Sequence, residues 1–110
     1  MRETATVEAL EAKMYRIDMD TPEAGLFAST LKISWTEGFQ RISGFAIDTC
    51  GTVSLPIQIA ALEVGSSVDP IGPEEALTMM PKFLNHHAAS IYGGTNEIQR
   101  DIIARSILNR

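Results

Sequence analysis

The sequence predicts an all-α fold. Three long stretches carry apolar residues at spacings of three and four. Helix-type starts and stops separate them, and the one stretch without that spacing, residues 52–72, is rich in Gly, Ser and Pro. Hydrophobic residues make up 45% of the 110 and charged residues 21%, the balance of a packed chain rather than a disordered one. A chain this long buries roughly 65% of its unfolded surface, which suits one helical domain over residues 1–110 with a modest core.

The first helix is expected over Glu3–Asp18. Val7, Leu10, Met14 and Ile17 lie on one face, with Ala5, Ala9 and Ala12 as strong helix formers beside it. Asp18-Met19-Asp20 then leads into Thr21-Pro22-Glu23, a helix start: Thr21 caps, Pro22 fits the first position, and Glu23 complements the dipole. The second helix is the longest. Phe27, Leu31, Trp35, Phe39, Ile42, Ala46 and Thr49 recur along it as a core-forming stripe, and Gly51 is its expected stop. Gly25, Gly38 and Gly44 weaken it intrinsically, which close approach of a neighbouring helix would explain.

Residues 52–72 read as linker, with Ile57–Val64 either a short helix or extended. Helix signals resume at Glu74. Pro81 breaks them and opens a helix running to about Ile91, and a last helix follows Gly93-Gly94 with Ile98, Ile102, Ala104, Ile107 and Leu108 as apolar positions.

Charge and cysteine content exclude several classes. Nine Lys and Arg against fourteen Asp and Glu give a net charge of −5, which argues against nucleic acid and anionic membranes. A single Cys50 cannot form an internal disulfide, so a reducing compartment is the default. No apolar run approaches the ~20 residues of a membrane span, and the start lacks a signal-peptide pattern. These features predict a soluble, cytoplasmic domain.

The most informative stretch is Ile91-Tyr92-Gly93-Gly94-Thr95-Asn96-Glu97-Ile98-Gln99-Arg100. It reads as a helix end, a two-glycine turn and a new helix whose first N–H groups point back at the turn. Such a start suits an anion, a carbonyl or a polar cofactor edge, and paired glycines admit a close neighbour. Judged by the residues alone, a connector between two packed helices is the better explanation.

Ser90–Arg100, continued by Asp101-Ile102-Ile103-Ala104-Arg105-Ser106-Ile107-Leu108, closely resembles the C-terminal end of acyl-CoA dehydrogenases. Ala28-Ser29-Thr30-Leu31-Lys32-Ile33 with Thr36, Glu37 and Gln40 looks like that family's long penultimate helix. The resemblance implies an up-down helical bundle, like the family's C-terminal four-helix domain with its first helix missing. It implies FAD as cofactor and an acyl-CoA as substrate of the complete enzyme: a carboxylate removes the α-proton while FAD accepts a hydride from the β-carbon. Weak or no FAD binding is expected of the isolated chain. Tyr92 and Gly94 would then lie near the flavin ring and the thioester, and Thr95, Asn96 and Glu97 against FAD.

Departures from the family pattern are as informative. Gly93 stands where many members carry the glutamate base, and glycine cannot take a proton. The catalytic residue is therefore unassigned. The family's Gln-x-x-Gly-Gly is replaced here by Asp48-Thr49-Cys50-Gly51-Thr52, and His87 stands where an arginine is common. By likeness the chain corresponds to the last part of such an enzyme. The expected partners are a second copy or a larger flavoprotein, because a bundle short of one helix exposes an apolar face.

Simpler roles suffice for the other polar residues. His86 and His87 are adjacent, about 100° apart on a helix, and lack a Cys, Asp or Glu three or four positions away, so no metal is expected. Cys50 is read as a structural thiol and Met79-Met80 as gap-filling core. Glu74 and Glu75 suit a first helical turn. Glu37 is expected to face solvent or pair with Lys32 or Arg41, while Arg100, Arg105 and Arg110 do not form one stripe. Three readings follow: the C-terminal portion of an FAD-dependent acyl-CoA dehydrogenase, inactive alone; a non-catalytic helical subunit; or a relative with oxidase or monooxygenase chemistry.

Overall fold

The computed structural model describes residues 2–18 and 20–108, most of them helical and with no strand among them. Met1, Met19 and Arg110, which entered the sequence reading, lie outside the described residues. Five α-helices follow in order: α1 Arg2–Met14, α2 Pro22–Cys50, α3 Ile59–Leu62, α4 Met79–Ala88 and α5 Asn96–Leu108. Tight 3-10 turns occupy Gly51–Ser54 and Glu74–Thr78. The chain forms two compact units, Met1–Phe39 with Ala89–Arg110, and Gln40–Ala88.

In the first unit α1 presents the expected face: Val7, Leu10, Met14 and Ile17 are half-buried while Ala5, Ala9 and Ala12 are exposed. The helix stops earlier than the periodicity predicts. Arg16 N donates to the Lys13 carbonyl (3.0 Å) and Ile17 N to that of Met14 (3.2 Å), so the chain tightens after Met14. Asp18 then organises the turn. Its carboxylate accepts from Asp20 N (3.1 Å), and its carbonyl from the Thr21 hydroxyl (2.7 Å). Lys13 Nζ lies 5.0 Å from the Phe27 ring centroid, a cation–π contact between α1 and α2.

The apolar stripe of α2 is half-buried rather than core. Phe27, Leu31, Trp35 and Phe39 keep intermediate exposure, and Ile42 is 39% exposed. Among the described residues the buried apolar side chains are only Ala24, Ala76 and Ala89. With 29 residues α2 runs roughly 44 Å, and α1 and α5, at 13 residues each, run about 20 Å. Close approach likewise fails to explain Gly25 and Gly38, beside which a Cβ would meet nothing within 4 Å. At Gly44 it holds weakly, with Phe83 Cε2 at 3.8 Å.

In the second unit α2 ends where expected, at Gly51 with φ +66°. Fully buried Ser54 seals that end, its hydroxyl lying 2.7 Å from the Gly51 carbonyl and 3.3 Å from that of Ile47. The linker-like stretch holds one helical turn, α3. Pro81 is the third residue of α4 rather than its opener, in the first turn where a missing N–H costs nothing. This helix stops at Ala88, three residues before the expected Ile91, and the Gln40 amide donates to the carbonyl of His86 (3.0 Å). His87 Nδ1 lies 2.8 Å from the Phe83 carbonyl, with the two rings edge to face at 4.4 Å. Among the described residues no helix is long and apolar enough to cross a membrane.

Candidate functional site

The turn before α5 is held by the chain's own donors. Ala89 is fully buried, and Asn96 N donates to the Ser90 carbonyl (3.0 Å), closing a loop over residues 90–96. Within it Gly93 and Gly94 adopt φ +67° and +85°, a pair of conformations that side-chain-bearing residues rarely take. The Gln99 amide reaches back to the Gly93 carbonyl (3.2 Å). A Cβ on Gly94 would lie 2.6 Å from that same nitrogen, so the second glycine also provides room for the clasp.

Thr95 is the N-cap of α5. Its hydroxyl oxygen accepts from Ile98 N (3.2 Å), and its carbonyl from Gln99 N (3.0 Å). Asn96 follows as the first helical residue and is buried, at 5% exposure. Its side-chain oxygen accepts from Lys32 Nζ (2.6 Å) and from the Thr36 hydroxyl (3.3 Å), both on α2. Lys32 also approaches the Ser90 carbonyl (3.4 Å). One turn further along α2, Glu37 pairs with Arg100, which also lies 3.6 Å from Glu97. The pairing expected for Glu37 with Lys32 or Arg41 is thus replaced by one across helices.

The predicted site residues therefore divide. Tyr92 is half exposed, Gly93 is exposed, and the Glu97 carboxylate is four-fifths exposed; these face outward. Gly94 and Thr95 are half-buried, and Asn96 faces inward. Lys32 and Thr36, the two α2 residues that hold Asn96, lie in the Ala28–Gln40 stretch that resembles the family's long helix, but nothing there marked them as partners of Asn96. Their signal was two polar residues four apart, beside the apolar series Leu31, Trp35 and Phe39.

The electrostatics of the helix start are correspondingly specific. The N–H groups of Asn96 and Ile98 are occupied by the chain itself, and the Glu97 carboxylate complements the positive end of α5. A second anion such as a pyrophosphate would meet the Glu97 carboxylate and would find two of the first N–H groups already taken. The groups this turn presents are a carboxylate, which can accept from a hydroxyl, the Thr95 hydroxyl, which can donate, and the aromatic ring of Tyr92. Among the described residues no group of three His, Cys, Asp or Glu side chains is arranged to hold a metal ion.

The sequence pattern described as acyl-CoA dehydrogenase, C-terminal domain, matches residues 2–108. No curated protein and no solved structure gives a match. A family match over nearly the whole chain agrees with the all-helical fold and with the Tyr-Gly-Gly-Thr-Asn-Glu turn at the head of the last helix. The chain belongs to the acyl-CoA dehydrogenase family, through its C-terminal domain.

Proposed function

We propose that this chain forms the C-terminal helical part of an FAD-dependent oxidoreductase that oxidises the CH–CH bond of acyl-CoA thioesters, in fatty acid or related acyl-CoA breakdown. It supplies binding contacts but not the base. The observation that carries this reading is the turn at 92–97, where Tyr92 and Glu97 face outward from a helix start locked by Thr95 and Asn96.

FAD, when bound, supplies the hydride acceptor. Tyr92 and Gly94 belong to the flavin and thioester side of the turn, and Thr95, Asn96 and Glu97 to the FAD side. Glu97 accepts from neutral hydroxyls of the cofactor, Thr95 donates through its hydroxyl proton, and Asn96 acts from within by fixing the direction of α5. Gly93, exposed and without a side chain, leaves that place open to an acyl chain or a partner's residue. A base carried elsewhere takes the α-proton.

A second reading is a non-catalytic helical subunit that joins a larger flavoprotein or a second copy. It is favoured by the exposure of Ile98 (55%), Ile102 (41%) and Ile107 (60%) on α5. The deciding experiment captures the native product from its own cells with an antibody against α5, then measures intact subunit mass and bound flavin. A subunit several times larger than 12.0 kDa that carries FAD and loses it on Glu97→Ala supports the first reading. A subunit near 12.0 kDa that co-purifies with a separate yellow protein supports the second.

A further inference from the structure

Lys32 stands half-buried on α2 and reaches both ends of the loop over residues 90–96. Its Nζ lies 2.6 Å from the Asn96 side-chain oxygen and 3.4 Å from the Ser90 carbonyl. The backbone bond from Asn96 N to the Ser90 carbonyl (3.0 Å) joins the same two residues, so the loop is closed twice at its base. Two other side chains tie the loop, and each holds one point of it. The Thr36 hydroxyl reaches Asn96 (3.3 Å), and the Gln99 amide reaches the Gly93 carbonyl at the exposed surface, where water competes.

The loop needs a tie at its base. Gly93 and Gly94 lie at its centre with φ +67° and +85°, and adjacent glycines have the widest choice of backbone conformation to lose. Ile91, Tyr92 and Gly93 are exposed, so the outer part of the loop gains little from burial. Where Tyr92 and Glu97 stand is therefore set at the base. There a cationic donor meets the oxygen of the buried Asn96, a stronger kind of hydrogen bond than one between neutral groups in water.

We propose that Lys32 is the positioning residue of the turn at 92–97: by spanning Ser90 and Asn96 it holds Tyr92 and Glu97 where FAD meets them. It acts through those two residues rather than by contact with the cofactor. This rests on the reading of the turn as part of a flavin site, and it adds to that site a residue from α2.

The test compares Lys32→Met, Lys32→Arg, Thr36→Val and Ala24→Gly. Ala24 is a buried residue about two turns earlier on α2, where glycine weakens the helix but removes no hydrogen bond to the loop. NMR of the full chain reads the loop in the folded state, through the Gly93 and Gly94 resonances and the exchange of the Asn96 amide. The native assembly that contains the chain, stripped of flavin and titrated with FAD, reads the site by flavin fluorescence. Lys32→Met is expected to move both glycine resonances, to speed Asn96 exchange and to weaken FAD binding roughly tenfold, the effect of one lost bond to a buried acceptor. Lys32→Arg should recover most of the affinity and Thr36→Val should lose less, while Ala24→Gly should match wild type in both readouts. Should Lys32→Met not fold, Lys32→Gln takes its place, since it keeps a donor on a side chain one bond shorter. If the Lys32 variant binds FAD as wild type does, or if Ala24→Gly weakens binding equally, the proposal is overturned while the reading of the turn stands. A wild-type assembly that binds no FAD overturns both.

Discussion

Lys32 and Asn96, 64 residues apart, meet at 2.6 Å, and this bond sets where the last helix begins. The Asn96 side chain is buried, so its oxygen needs a partner from within the chain. Thr36 is the second donor, but its single proton is shared with the Ile33 carbonyl at 3.1 Å. Lys32 is therefore the principal one.

Replacing Lys32 by Met keeps the aliphatic stem and removes the donor. The expected loss is about 1–3 kcal/mol of unfolding free energy, the cost of leaving a buried acceptor short of its partner. Urea denaturation of Lys32→Met and Thr36→Val measures it, and the threonine variant should lose less. Equal losses would mean that Thr36 carries the bond.

Gly94→Ala combines two penalties. A φ of +85° disfavours any L side chain, by about 1 kcal/mol or more, and the new methyl displaces the Gln99 amide from the Gly93 carbonyl. Gly93→Ala suffers only the first, because nothing lies within 4 Å of its Cβ position. Thermal unfolding should rank wild type above Gly93→Ala, and that above Gly94→Ala.

Thr95→Ala removes the N-cap of α5 and should cost about 1 kcal/mol, whereas Thr95→Ser should cost little. Amide exchange localises the effect: the Ile98 N–H should gain exchange rate most in the alanine variant. An effect spread evenly over the chain would refute the capping role.

The Glu37–Arg100 pair should matter much less. Both side chains are more than a third exposed, so water and salt screen them. A double-mutant cycle with Glu37→Gln and Arg100→Gln should give a coupling below about 1 kcal/mol that shrinks further in high salt. A larger, salt-insensitive value would indicate a burial that these side chains do not have.

Much of the molecule was legible from residue order because its causes are local. The stripe Val7, Leu10, Met14 and Ile17 depends on a 3.6-residue repeat, and the stop at Gly51 on a left-handed φ. The Tyr92–Glu97 turn follows from two glycines and a threonine placed where only a turn and a cap can use them. The family resemblance rested on that turn with the helix after it and on the stretch Ala28–Gln40, and the family match covers residues 2–108.

The rest depended on partners far away in sequence. No spacing rule reveals that Asn96 turns inward, because its donors are 60 and 64 residues earlier. Glu37 has two cations within five positions, yet takes Arg100 because α5 brings that guanidinium alongside. Ser54 and Gln58 look like ordinary linker residues until the fold gives them carbonyls to seal and a backbone to grip. The periodicity of α2 marked which face is apolar, but not how far that face is covered. Coverage depends on what other segments bring against that face, and Phe27, Leu31, Trp35 and Phe39 stay only half-buried. Sequence alone determined the helices and the turn, whose energies lie within a few residues. Tertiary structure decided which polar groups face inward and which apolar ones stay in water, since both depend on what other segments bring into contact.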